Sequence, residues 1–547
     1  MRIKNIISAM LFILLSTVNA EGQMWQWAKS DGSLNNDAAI SVSTDYAGNV
    51  FVAGIFRDSI FSGANKLYSY GLDDIYVVKY SPNGNILWTK CFGGTGNDGY
   101  GLYIKADSIG NCYVTGAYSY SAQFDLITLN SGFVNNMFLV RMNPTGYILF
   151  ANDFQGTNGS VGYALEVDRN QNCYLTGYFY DQLFAAPNTV YSNGSHDIFL
   201  AKIDGLGNVL WSRRAGGSSY DSGGGVALDD FGNIYITGYF SSTADFDIAT
   251  LISSGGDDAF VAKYDNSGNF KWVSRTFGSG VYDIGVKIRI QQDKICVVGQ
   301  FEDTMTIGLQ TLISYGGMDG FITLLDSSGN FLWAKQLGSV GNDRFSDVAF
   351  VSNSEIVASA WINQTAFLNN TLINVFNKSG LVSWFDYNGN IISYKQASNI
   401  AKNSFNALCT NISNEILVAG SMEDTLQLDS IKLASVGLAD MIIGKIVKRE
   451  TAVTEVQDNE FLVQNNLFSD ETRPSIIFSE QVQIKSVEIF DMNGNCVVKY
   501  FPQRKLDVGN KFTINNPVMS QLSQGVYLVR ITTGISDKIV LIKIIKV

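Results

Sequence analysis

Histidine is nearly missing from this chain: of 547 residues only His196 is a histidine. That count excludes a zinc centre of several histidines, and a Ser-His-Asp triad would have to use this one residue. Standing directly before Asp197 where an apolar segment begins, it reads as a loop-exposed side chain. Cysteine is sparse and scattered. Cys91, Cys112, Cys173, Cys296, Cys409 and Cys496 form no close Cys-x-x-Cys pair and no regular spacing, which argues against a disulfide framework. Cys112 and Cys173 occupy the same place in two similar segments, GNCYVTG and QNCYLTG, as small buried hydrophobes would. Positive charge is in the minority, 38 Lys and Arg against 50 Asp and Glu, giving a formal charge of −12. Such a surface repels phosphate backbones and acidic lipids, so nucleic acid is excluded as a partner. Beyond the first twenty residues no run of eighteen apolar residues occurs, and no transmembrane helix is expected in the mature chain. With only 6 prolines but 53 glycines and 12% aromatic residues, the composition fits many short strands joined by glycine turns.

The chain is too long for one ordinary core, so several domains or a repeat architecture are required. Residues 1–20 read as an export signal: Arg2 and Lys4, an apolar stretch from Ile6 to Leu15, and the small-residue site Val18-Asn19-Ala20, with cleavage between Ala20 and Glu21. A unit of about sixty residues then repeats. GNIYITGYF at 232 recurs as GNVFVAGIF at 48, GNCYVTGAY at 110 and QNCYLTGYF at 171, and more loosely at 294 and 415. DAFVAKYD at 258 recurs at 74, 136, 197, 319, 380 and 440, which makes seven copies. Trp88, Trp211, Trp272 and Trp333 end a third segment; Phe150 and Ser393 replace Trp in two copies. Segments such as GVALDD at 225 supply a fourth strand. Residues alternate between two largely apolar faces, as sheets stacked on both sides require. The seventh copy stops without its Trp strand, while Trp27-Ala28-Lys29 matches Trp333-Ala334-Lys335. The expected fold is therefore all-β: a seven-bladed β-propeller of four-stranded blades over 21–446, its last blade closed by the N-terminal strand.

The D-x-x-GN-x-Y-x-TG core, seen at Asp107–Gly116 and Asp230–Gly238, and the GN-x-x-W ending resemble the bacterial seven-bladed β-propeller repeat family. After a charged and polar linker at 447–458, residues 459–547 contain VEIFDMNGNCV, LSQGVYLVRI and a Lys-rich final strand. This segment resembles the type A C-terminal sorting domain of the type IX secretion system of Bacteroidetes, a small β-sandwich, with Asn466-Leu467 where such domains usually carry Asn-Pro. The resemblance implies recognition by the type IX secretion machinery, removal of the domain, and a propeller attached to the outer surface or released.

An acidic position recurs ten or eleven residues after the Trp position: Asp37, Asp98, Asp221, Asp283 and Asp343; two repeats lack it. Loops at one end of a propeller converge on its channel, so these carboxylates are candidates for holding a cation or hydrogen-bonding a sugar. The alternative is that each accepts main-chain N–H bonds and shapes a turn. The D-x-x-G-N turns at Asp204–Asn208, Asp265–Asn269 and Asp326–Asn330 invite calcium, but their residues are those a tight hairpin needs. No catalytic set and no metal site stand out, and no cofactor is expected. The leading expectation is a non-enzymatic surface or secreted scaffold for a glycan or protein ligand. The alternatives are a carbohydrate-active enzyme, glycosidase or lyase, with acids at the channel mouth, and a structural envelope component.

Overall fold

The repeated segments become strands because both faces of each pleat carry residues that exclude water: in Ile234–Phe246, Ile234, Tyr235, Ile236 and Thr237 are all buried. The computed structural model describes residues 23–448 except 64, 186–187 and 398–400, together with strands of a second unit between 461 and 546. The expected leader, with Ala20 and Glu21, and most of the expected linker lie outside the described residues. The chain divides into two compact units, one spanning Gln23–Val447 and one holding Lys448–Val547.

The first unit is a β-propeller. In its first blade Ala38–Thr44 pairs antiparallel with Val50–Ser62, which pairs with Asn65–Tyr80, which pairs with Ile86–Phe92. The fourth blade repeats the order with Ser222–Leu228, Ile234–Phe246, Ala249–Tyr264 and Phe270–Arg275. The innermost strands are Ala38–Thr44, Tyr100–Ala106, Ser160–Val167, Ser222–Leu228, Ile284–Gln291, Arg344–Phe350 and Asn403–Thr410. Each touches the next and the seventh touches the first, so the described strands form a closed ring. The seventh blade takes its outer strand from the other end of the chain: Gln23–Asp31 lies beside Asp440–Lys448. Trp25 and Ala28 of that strand sit in one core cluster with Phe405, Leu408 and Val418.

The tryptophans join neighbouring blades. Trp211, on the outer strand of the third blade, lies against Gly268 in the last turn of the fourth; a Cβ there would come within 3.0 Å of the indole, and φ is +75°. Only glycine suits both constraints. Trp27 Nε1 donates to the Pro82 carbonyl (3.1 Å), Trp88 to Pro144 (3.1 Å) and Trp333 to Tyr387 (2.9 Å), each in the turn of the following blade. Ser393 replaces Trp where the following blade is the seventh. There the third and outer strands come from opposite ends of the propeller, and Ser393 donates to Gln23 Oε1 (3.1 Å).

The second unit has a three-stranded sheet of Phe461–Gln464, Ser475–Phe478 and Lys511–Thr513. A larger sheet is built on Val482–Phe490, Gly525–Thr533 and Ile539–Lys546. Ile476 and Phe512 from one sheet and Val487, Ile489, Val529 and Ile531 from the other share one apolar core, as a small sandwich requires.

Candidate functional site

The five recurring aspartates stand just before innermost strands, and all are buried. Asp98 accepts from the N–H of Gly94 (2.7 Å) and of Ser119 (2.9 Å), and Asp221 from Gly217 (2.7 Å) and Ser241 (3.1 Å). Asp343 accepts from Ser339 (2.5 Å) and Asn363 (2.8 Å), Asp283 from Glu302 (3.1 Å), and Asp37 from Arg57 (3.3 Å). Their own N–H groups donate across the blade junction, for example Asp98 to the Asp73 carbonyl (2.7 Å) and Asp221 to His196 (2.9 Å). This is the turn-shaping geometry, applied to holding adjacent blades together.

Each of the five faces a second carboxyl on the third strand of the preceding blade: Asp440 with Asp37, Asp74 with Asp98, Asp197 with Asp221, Asp258 with Asp283, and Asp319 with Asp343. At the two remaining junctions both acids are gone, replaced by Asn136 with Ser160 and by Ser379 with Asn403, whose amides and hydroxyls make neutral bonds such as Met137 N–H to Ser160 Oγ (3.1 Å) and Gly380 N–H to Asn403 Oδ1 (2.7 Å). Paired loss is what two interacting carboxyls predict. Burial, with the second carboxyl adding to it, pushes Asp74, Asp221, Asp283 and Asp319 up to about 7 and Asp37 to about 6. At every acidic junction at least one carboxylate oxygen is buried without a hydrogen-bond partner, such as Asp74 Oδ1, Asp197 Oδ1 and Asp319 Oδ1. A shared proton satisfies such an oxygen.

A cavity of about 490 Å³ lies at the channel mouth beside these turns. Every innermost strand carries a β-bulge near its start, and Ile40, Gly101, Tyr163, Ser346 and Asn406 at those bulges border the cavity. A bulge re-aims a side chain out of the ladder, and here it turns one residue per blade toward the axis. Of the recurring aspartates, Asp98 borders the cavity. An aromatic arc runs along one side: the Tyr163 hydroxyl donates to that of Tyr100 (2.8 Å), the Tyr163 and Tyr178 rings lie 5.8 Å apart, and Tyr178 stacks on His196 at 4.4 Å.

The opposite side is cationic. Lys287, Arg344 and Trp361 border the cavity, and Lys378 Nζ lies 4.2 Å from the Trp361 ring centre. Burial lowers the pKa of Lys287 to about 8, Asp347 opposing and Arg289 and Arg344 adding, and burial also lowers those of Arg344 and Lys378. Deeper in, the channel is crossed: Arg289 of the fifth blade reaches Tyr103 Oη of the second (3.1 Å) and Asp347 of the sixth (3.1 Å), while Lys105 pairs with Glu166 (2.7 Å). The mouth is therefore a floored dish.

His196 departs from the sequence expectation. It is 6% exposed, in Asn188–Ile203, with Nδ1 2.9 Å from the Asp221 carbonyl. Burial lowers its pKa, so it is neutral and donates from Nδ1. The ring is buried because Tyr178, Tyr180 and Tyr220 enclose it. The D-x-x-G-N turns engage their own oxygens: Asp204 Oδ1 accepts from the N–H of Leu206 (2.9 Å) and Asn208 (2.8 Å), and Oδ2 from Asn208 Nδ2 (3.0 Å). Among the described residues no three His, Cys, Asp or Glu side chains group as a metal site. Cys112 and Cys173 are buried free thiols.

Sequence reasoning followed what the copies share and so passed over Tyr100, Tyr163, Lys287, Arg344, Trp361 and Lys378. The available signal was divergence at a fixed offset. Arg344 follows Asp343 where the other copies have Ala38, Gly99, Val161, Ser222, Ile284 and Ser404.

Residues 210–246 match the family described as beta-propeller repeat, and residues 472–546 match the family described as secretion system C-terminal sorting domain. The chain thus carries a propeller repeat and a type IX sorting domain, which directs export to the cell surface or release. It is 23% identical to an uncharacterized WD repeat-containing protein of Acanthamoeba polyphaga mimivirus, over 72% of this chain and 36% of that protein. It is 25% identical to the regulatory protein FlaEY of Caulobacter vibrioides, over 32% of this chain and 19% of that one. The chain spans well under half the length of either relative. Among solved structures it is similar to PorZ, a surface component of the type IX system of Porphyromonas gingivalis, at 11% identity and a TM-score of 0.24, covering 93% of this chain and 81% of PorZ. No helix among the described residues is long and apolar enough to cross a membrane.

Proposed function

We propose that the exported propeller is a non-enzymatic binding scaffold whose glycan or protein ligand docks in the channel mouth. One observation carries this reading: the bulges turn a different residue from each of several blades into one floored cavity, while the surrounding ring repeats. Repeated residues build blades; the varied ones define a surface. The five recurring acids support a structural role for themselves, since their oxygens accept main-chain N–H bonds. Glycan-array and pull-down screens with the full chain, repeated with Tyr100→Ala and Trp361→Ala, test the reading. A ligand lost on either substitution supports it; a ligand retained by both refutes the mouth as its site.

A second reading, a carbohydrate-active enzyme, draws on Asp98, which borders the cavity and whose carboxyl burial pushes upward, as a general acid requires. Cleavage of a polysaccharide panel that disappears in Asp98→Asn, with the fold retained, would establish it in place of the first.

A further inference from the structure

The geometry points to an acidic saccharide, bearing carboxylate or sulfate groups, as the ligand of the mouth, held by Arg344, Lys287 and Lys378. This inference rests on the reading of the mouth as a binding site. The chain is acidic overall, with 50 Asp and Glu against 38 Lys and Arg, yet it sets Lys287 and Arg344 on the border of one cavity, with Lys378 against the Trp361 ring that also borders it. Their charged neighbours are turned elsewhere. Asp347 is engaged by Arg289 (3.1 Å), and Glu423 lies with Lys402 (3.6 Å). Arg344 Nε is buried without a hydrogen-bond partner. Desolvated cations whose nearest carboxylates are shared with other cations are costly, and an anion seated among them relieves that cost.

Other cations in the ring show what a structural role looks like. Lys79 bonds the Pro144 carbonyl (3.2 Å) and Arg141 Nη2 bonds Gln171 (2.6 Å), whereas Lys287 Nζ lies over the Tyr103 ring, 4.3 Å from its centre. Lys79 and Arg141 recur at equivalent places on third strands; Arg344 and Lys287 lie on innermost strands at places where other copies are uncharged, apart from Asp347. A hydroxyl-rich ligand suits the rest of the wall, where an exposed Tyr100 ring, the paired Tyr100 and Tyr163 hydroxyls, and the Asn97 and Asn406 amides converge. An acidic peptide would bind by adding a strand to an open edge, and the bulges interrupt the ladder at this end of the innermost strands.

The test is calorimetric titration of the full chain with oligogalacturonate, a sulfated galactan oligosaccharide, neutral cello-oligosaccharide and polyglutamate. One or both acidic saccharides should bind, the carboxylated and sulfated arms identifying which group is read, and added salt should weaken the binding. Arg344→Gln and Lys287→Gln should each lower that affinity about 10- to 100-fold at an unchanged melting temperature. Equal affinity for the neutral oligosaccharide, unaffected by Arg344→Gln but lost with Tyr100→Ala, overturns the acidic class and leaves the binding reading standing. Binding of polyglutamate alone overturns the saccharide, and binding of nothing in the panel overturns both. Salt-insensitive acidic binding by the unaltered chain overturns the cationic role even if a variant fails to fold.

Discussion

Replacing Asp319 with Asn should stabilise the propeller at pH 8 and do so far less at pH 4.5. Asp319 is buried opposite Asp343; its Oδ2 accepts from the N–H of Tyr315 (3.0 Å) and from Gln336 Nε2 (2.6 Å), and its Oδ1 has no partner. Burial raises its pKa from 3.8 to about 7. A raised folded-state value means the folded chain holds a proton that the unfolded chain has released. The stability this contributes is complete below about 3.8 and is lost as pH rises through about 7. Charging the site therefore costs an upper figure of about 4 kcal/mol, at about 1.4 kcal/mol per tenfold change. Opening of the charged junction to water recovers part of that cost, so a gain of about 1–3 kcal/mol for Asp319→Asn at pH 8 is expected. Asn136, at the same place in the second blade, shows that the fold accepts the amide. Urea denaturation followed by tryptophan fluorescence reads the propeller alone, because all 8 tryptophans lie between Trp25 and Trp384. Wild-type stability should fall between pH 4.5 and 8, and the variant should fall less. Wild-type stability that is flat or rising across that window, or a variant effect equal at both pH values, refutes the shared-proton account.

Three further outcomes follow from the same geometry. Gly268→Ala should cost about 1–3 kcal/mol, because it strains a left-handed backbone and drives a Cβ into the Trp211 indole; an unchanged urea midpoint would show that the indole yields freely. Deleting Gln23–Asp31 exposes the edge of Asp440–Lys448 and removes Trp25 from its cluster. The ring should then become sensitive to limited proteolysis in its seventh blade, and a protease-resistant product would refute the closure argument. Removing residues 459–547 should abolish surface delivery, as read by fractionation of the producing cells; normal delivery without them would remove the export role of the sorting domain.

The propeller was legible in the sequence because its determinants are local and repeated. GNIYITGYF and its copies state the strand, the turn and the two apolar faces within nine residues, and Trp27-Ala28-Lys29 states how the ring closes. The sorting module was legible through VEIFDMNGNCV, whose two arms form the antiparallel pair Phe490 with Cys496. His196 was misplaced because its burial depends on Tyr178 and Tyr220, one on the neighbouring strand of the ladder and one in the next blade, and no local pattern records that enclosure.

The recurring aspartates mark the boundary between the two kinds of information. Sequence alone determined that Asp37, Asp98, Asp221, Asp283 and Asp343 are equivalent positions, because a sixty-residue period is visible along the chain. Only the tertiary structure decided that each meets a second aspartate from the blade before it, and that the residues bordering the channel mouth include Tyr163, Lys287 and Arg344 around the axis. The physical reason is that a blade is specified by neighbours along the chain, whereas a junction joins residues of two successive blades, in one case Asp37 with Asp440 from opposite ends of the unit, and a channel mouth gathers residues from many blades when the ring closes.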